Sequence, residues 1–232
     1  MIDLYIKDNE EKLSCFNIVA KDIVLLIDVS DKMTSDPKKI PKALKAASNF
    51  FDLYVTTNDR FALFSYSSSV NPVIALTPKN FHTYVYVKNS IDNIQSDLSL
   101  ITGNSKLLLQ KSHTCKAIAV VYDYLSKKNV DLQPREKWIV VFTNSFIEDN
   151  TSFDQKIFEV LKNNDTHDLL KIIIVGINMD KESSTRISDI LGRFSINKKS
   201  HYLDYENFGQ LGSSLKIHGD IKAEMDYPNE RY

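Results

Sequence analysis

Apolar and polar positions along this chain switch between two periods. Ile23-Val24-Leu25-Leu26-Ile27 is an unbroken apolar run closed by Asp28, the pattern of a strand buried on both faces. Ile40, Leu44, Ala47, Phe51 and Tyr54 then fall at steps of four, three, four and three. That spacing is one face of a helix, with Pro41 tolerated in its first turn. Phe61-Ala62-Leu63-Phe64 reads as a second strand, and Val73-Ile74-Ala75-Leu76 is near enough to pair with it as a hairpin. Tyr84, Val87, Ile91 and Ile94 mark another helix. Residues 95–113 have no clear period and hold Ser, Asn and Gly, so they read mainly as a long surface loop, a length that in compact domains usually has a use.

From Thr114 the alternation resumes. Ala117, Val120, Val121, Tyr124 and Leu125 form a helical stripe, Trp138 to Phe142 a second buried strand, and Phe153, Ile157, Val160 and Leu161 a further helix. Leu170 to Val175 is a continuous apolar strand closed by Gly176, followed by a helical stripe through Ile187, Ile190, Leu191 and Phe194. A short strand around Tyr202-Leu203 and a last helix near 207–215 complete the series. Buried strands alternating with helices predict an α/β fold, a doubly wound, mostly parallel sheet with helices on both faces. The Val73–Leu76 strand is expected as an antiparallel edge. With no break in composition inside it, 21–215 reads as one domain. Residues 1–20 read as an N-terminal extension and 216–232 as a polar tail, as if cut from a longer chain.

Composition narrows the function. The chain has 232 residues, 43% hydrophobic and 25% charged, with 29 Lys+Arg against 30 Asp+Glu; these values exclude wholesale disorder and any general basic excess for polyanions. The basic doublets Lys38-Lys39, Lys127-Lys128 and Lys198-Lys199 are read as solvated faces. No apolar run approaches the ~20 residues of a membrane span. Asp3, Asp8, Glu10 and Glu11 stand where a secretory signal would be positive and then apolar, so an intracellular, cytoplasmic setting is expected. Cys15 and Cys115 cannot make a disulfide framework or a four-cysteine zinc site.

Ligands of such a sheet bind beyond the carboxyl ends of its strands, here 28–35, 65–69, 144–150 and 176–180. No phosphate-binding glycine loop and no G-x-S-x-G elbow occurs anywhere in the chain, and its five histidines never fall at H-x-x-x-H spacing. Asp28-Val29-Ser30-Asp31-Lys32-Met33 is different, because it leaves a buried strand with a carboxylate and a hydroxyl two residues apart.

That stretch resembles the first loop of a von Willebrand factor A domain, whose metal-ion-dependent adhesion site begins D-x-S-G-S and continues with a Met-like residue. Thr114 matches the family's later Thr at a helix start, and Asn144, in Thr143-Asn144-Ser145, falls where the family has Asp. The resemblance covers roughly 20–215 and includes the order of elements. It implies a vWA-like, Rossmann-like three-layer sandwich with Asp28, Ser30 and Thr114 as metal ligands. Two positions depart: Lys32 replaces the family's second Ser and Asn144 its second Asp. Lys has donors only, whereas hard divalent cations take oxygen ligands. A lysine charge about 4 Å from a divalent ion is repelled by about 8 kcal/mol at an effective dielectric near 20. The site is therefore expected to be weak or vestigial, holding water or an ammonium, with no cofactor beyond weak Mg²⁺ or Ca²⁺.

The function this implies is non-catalytic protein–protein interaction, as a module of a larger intracellular protein whose partner docks on the crevice face. Two alternatives stand beside it. One is an α/β enzyme of hydrolase type, although Ser30 with Asp28 lacks a histidine base. The other is a vWA module beside nucleic-acid machinery, although nucleic acid itself is not an expected partner.

Overall fold

The apolar run at Ile23 forms the middle of the sheet. In this computed structural model, residues 19–102, 112–128, 135–145, 156, 157, 159–161, 163, 169–194 and 201–205 are described. Six strands, β1 (Lys21–Asp28), β2 (Arg60–Tyr66), β3 (Val70–Pro78), β4 (Glu136–Thr143), β5 (Leu170–Gly176) and β6 (His201–Asp204), stand in the order β3-β2-β1-β4-β5-β6. All neighbours are parallel except β2 and β3, the expected hairpin. The chain crosses over between parallel strands through helices: α1 (Asp31–Thr34), α2 (Lys39–Tyr54), α3 (Phe81–Ser96), α4 (Ser99–Thr102), α5 (Thr114–Lys127) and α6 (Lys181–Phe194).

Alternation along each strand divides the core in two. Ile23, Leu25, Ile27, Val140, Phe142 and Val175 pack with Leu44, Phe50 and Phe51 of α2 and Ile91 of α3. Val24, Leu26, Ile139, Val141 and Ile174 pack on the other face with Ile118 and Val121 of α5 and Leu191 of α6. Burying a side chain of this size stabilises by roughly 1.5–3 kcal/mol, so a strand that is apolar at every position belongs where both faces are covered. The strand order puts β1 there.

At the amino ends of the strands the stabilising contacts are ionic. Buried Asp22 accepts from Arg60 Nε and an η nitrogen at 2.7 and 2.6 Å, and from Arg135 Nε at 2.8 Å. Lys79, just after β3, donates to the carbonyls of Phe51 and Val55 at 2.9 and 2.5 Å. It thereby holds the carboxyl end of α2, where orphan carbonyls need donors.

Several boundaries differ from the sequence pattern. A single turn, α1, follows Ser30 where only a polar turn was expected. A turn of helix, α4, lies inside the stretch read as loop. Helix α6 starts at Lys181, six residues before its first apolar marker, because Asp180 caps a polar first turn, accepting from Ser183 N at 2.7 Å. Residues 1–18 of the extension, the loop part 103–111, residues 146–155, the helix near 207–215 and the tail 216–232 lie outside the described residues. Among the described residues no helix is long and apolar enough to cross a membrane.

Candidate functional site: the crevice at the carboxyl end of β1

Strand β1 delivers Asp28 to the end of the sheet and stops there. Val29 N donates to Tyr66 O at 2.8 Å, keeping the exit of β1 beside the end of β2. Ser30 then turns the chain with extended backbone angles as the N-cap of α1. Its carbonyl accepts from Met33 N and Thr34 N at 2.9 Å each, while its hydroxyl makes no capping bond. Met33 is fully buried and anchors this turn in the core.

The Asp28 side chain has no exposed surface. One oxygen accepts from Ser30 N at 2.8 Å and the other from Thr143 Oγ1 at 2.6 Å. Burial raises its pKa above the usual 3.8, opposed by hydroxyls of Thr143, Ser30 and Ser112 and by the Ser30 amide. Thr143 Oγ1 is also 2.8 Å from Ser145 O, so two acceptors compete for a single hydroxyl proton.

Thr114 opens α5 and is fully buried. Its Oγ1 lies 2.9 Å from Tyr66 Oη and 3.2 Å from Ser112 Oγ, and His113 N donates to Ser67 O at 3.2 Å, tying this helix start to the end of β2. Burial, and after it the Asp28 charge, push the Tyr66 phenol well above its ordinary 10.

The altered positions meet through an unexpected atom. Asn144 Nδ2 donates to the backbone carbonyl of Lys32 at 3.1 Å, joining two crevice loops that are far apart in sequence. The same carbonyl accepts from Lys39 Nζ at 2.8 Å. The Lys32 side chain is exposed, and its charge helps to hold Asp180 low, after the larger effects of the Ser183 amide and hydroxyl.

Two buried polar atoms have no hydrogen-bond partner among the described residues, Ser30 Oγ and Asn144 Oδ1. The Ser30 hydroxyl is near enough to favour an ionised Asp28 yet does not reach hydrogen-bonding geometry with it. No group of three or more His, Cys, Asp or Glu able to hold a metal occurs among the described residues.

Of the residues expected at a metal site, Asp28 and Ser30 therefore share one loop, Asn144 reaches that loop from β4, and Thr114 joins through Tyr66 and Ser112. Tyr66, Ser112 and Thr143 were not anticipated. Tyr66 does lie in the 65–69 stretch singled out as a strand end, and Thr143 immediately precedes Asn144, but spacing alone does not reveal which hydroxyls converge.

Sheet order, helices on both faces and a polar crevice beyond β1 and β4 define a doubly wound α/β domain that presents its ligand-facing loops at one end. The family model described as von Willebrand factor type A domain matches residues 23–146, more than half of the chain, and the chain belongs to that family. Among solved structures it resembles BatB of Bacteroides thetaiotaomicron (14% identity, TM-score 0.60, covering 88% of this chain and 100% of that one). It also resembles the SpRpn10 VWA domain (14% identity, TM-score 0.59, covering 81% of this chain and 88% of that one). A third likeness is to proximal thread matrix protein 1 of the mussel byssus, at 16% identity and TM-score 0.57. That match covers 86% of this chain but only 47% of the mussel protein. At these identities the likeness is one of fold. No curated protein gives a significant sequence match.

Proposed function

We propose that this chain is a non-catalytic protein-interaction module of an intracellular protein, whose partner docks over the loop after β1 and the loop after β4, without a resident divalent metal. Domains of this family commonly mediate protein interactions, and the finer reading rests on one contact, the Asn144 amide on the Lys32 carbonyl. That bond joins the two loops with a neutral side chain. The oxygen donors around it, Asp28, Ser30, Thr114 and Asn144, carry a single formal negative charge. Mg²⁺ requires near-octahedral oxygen ligation and Ca²⁺ takes six to eight oxygens. A donor set of one carboxylate whose oxygens are already engaged, with Thr114 committed to Tyr66 and Ser112, fits neither ion.

The non-catalytic part is supported by Ser30. A nucleophilic serine needs a base within hydrogen-bond reach, and Ser30 Oγ has no such partner among the described residues.

The test places a photo-crosslinking amino acid at position 32 of the full chain in cells, with a control at position 127, the far end of α5. A discrete partner captured at 32, not at 127, and lost on Ser30→Arg is the expected result. Equal capture at both positions would refute the docking face. Turnover of ester, phosphate or nucleotide substrates abolished by Ser30→Ala would refute the non-catalytic reading.

A further inference from the structure

Two unpartnered acceptors and one buried negative charge occupy neighbouring positions in the crevice. Ser30 Oγ belongs to a residue only 1% exposed, and Asn144 Oδ1 is the free end of an amide whose other end is fixed on Lys32 O. Between their loops lies Asp28, 2.6 Å from the Thr143 hydroxyl that precedes Asn144. From this arrangement we infer that the crevice binds a primary ammonium, the side chain of a lysine presented by the protein partner. The inference rests on the partner-docking reading above and names the chemistry of what docks.

The count of donors and charges selects this ligand. An alkylammonium has three donors, no acceptor and one positive charge. The crevice has three acceptors to offer it: the Asp28 carboxylate, on which the Ser112 and Ser30 hydroxyls also act and would have to yield, Ser30 Oγ and Asn144 Oδ1. The bound pair is electrically neutral, whereas a divalent ion would leave a net positive charge and too few oxygens. A guanidinium is disfavoured for a different reason. Its planar fork seeks both oxygens of one carboxylate, and both Asp28 oxygens are engaged, by Ser30 N and Thr143 Oγ1. An ammonium is a compact charge at the end of a slender, flexible stem.

Two lysines of this chain lie beside the crevice, and the Lys39 ammonium is held on the Lys32 carbonyl at 2.8 Å. The Lys32 backbone is tied to Asn144 and Lys39, and its charge acts on Asp180. Among the described residues Lys32 and Lys39 each have a contact of their own, and the lysine that enters the crevice is taken as the partner's.

The probe is methylammonium chloride at constant ionic strength and in EDTA, followed by the amide NMR signals of Ser30 and Asp31 and the side-chain amide of Asn144. Two heavy atoms limit the affinity to a Kd no tighter than about 6 mM. Expected is a saturable shift that tetramethylammonium, which has no N–H, does not produce, and that weakens at least tenfold in Asp28→Asn and in Ser30→Ala. Nα-acetyl-lysine amide should give the same shifts and Nα-acetyl-arginine amide should not. The inference is overturned by no saturable shift at about 0.1 M methylammonium, by equal shifts with tetramethylammonium, or by Mg²⁺ moving the same signals at lower concentration. In Lys32→Met, unchanged binding is expected; binding at least tenfold tighter would assign the crevice to Lys32 itself and overturn the partner as source. A silent titration with crosslinking from position 32 intact would sink the ammonium alone, while loss of both would sink the docking face.

Discussion

The substitution Asp28→Asn is expected to stabilise the protein at neutral pH, although it alters the centre of the crevice. An amide has the shape of the carboxylate it replaces. Its oxygen keeps the bond from Ser30 N, now 2.8 Å, and its nitrogen can donate to Thr143 Oγ1. The Thr143 proton is then released to Ser145 O, 2.8 Å away, so the competition for it ends. Completing a buried hydrogen bond is worth about 1 kcal/mol, and single stabilising substitutions commonly give about 0.5–2 kcal/mol. A gain of about 1–2 kcal/mol raises the melting temperature by about 2–8 °C for a domain of this size. The pH dependence follows from the direction of the Asp28 shift. Its folded pKa is raised by burial above 3.8, so the folded state accommodates the protonated acid fully below that value. It loses stability as pH rises through the folded pKa. Asn does not titrate. Thermal unfolding in EDTA should therefore show almost no difference between the proteins at about pH 3.5 and a plateau advantage for the variant by about pH 7.5. A variant no more stable than the natural chain at the higher pH would refute the reasoning, because the Asp28 charge would then already be compensated in the fold.

Further outcomes follow from other contacts. In Lys32→Ser/Asn144→Asp, Mg²⁺ at ~100 times its Kd should add about 2.7 kcal/mol, a rise of about 5 °C or more over EDTA. The natural chain should scarcely respond, and equal shifts in both would defeat the charge argument. In Gly176→Ala, the new Cβ would fall on the Tyr202 hydroxyl and lie 3.1 Å from two of its ring carbons. Overpacking of this kind costs about 1–3 kcal/mol. Urea unfolding should show the loss, and part of it should be recovered when Tyr202→Phe removes the hydroxyl. Asp22→Ala leaves Arg60 and Arg135, 19% and 14% exposed at their side chains, without their shared carboxylate. Breaking such a buried arrangement costs about 3–5 kcal/mol. Chemical denaturation should find that cost nearly unchanged by added salt, since partly buried pairs are weakly screened.

The sheet was legible in the sequence wherever burial left a mark on residue type. Five consecutive apolar residues at Ile23–Ile27 suit only a strand covered on both faces, and β1 lies between β2 and β4. Strand β3 extends beyond the apolar quartet Val73–Leu76 to Val70 and Pro78, because an edge strand can carry the prolines at 72 and 78 that a central one could not. The early start of α6 left no apolar mark, since its first turn is Glu182, Ser183 and Ser184. The only clue was Asp180 placed three residues before Ser183, the spacing of an N-cap. Site residues on one loop, Asp28 and Ser30, were readable from their spacing, and Thr114 from its place at a helix start. Tyr66, Ser112 and Thr143 were not, because their convergence depends on which strand ends become neighbours after two crossovers.

The two departures from the family pattern make sense together, and only with the structure in view. Sequence reasoning treats Lys32 as a charge and Asn144 as a lost charge. The fold uses the Lys32 backbone carbonyl instead, at 3.1 Å from the Asn144 amide. A carboxylate at position 144 would set an oxygen with no proton against that carbonyl, a repulsion that a nearby cation would have to offset. An amide supplies the missing proton itself. Asn144 thus closes the gap between the loops after β1 and β4 without an ion, and with that closure in place Lys32 is free to turn its charge to Asp180. What remains at the centre is one carboxylate, with unpartnered oxygens at Ser30 and Asn144. On the inference above, a crevice of that composition takes a single positive charge that brings its own donors. The two substitutions that charge sets against a divalent ion are the same ones on which the proposed monovalent ligand rests.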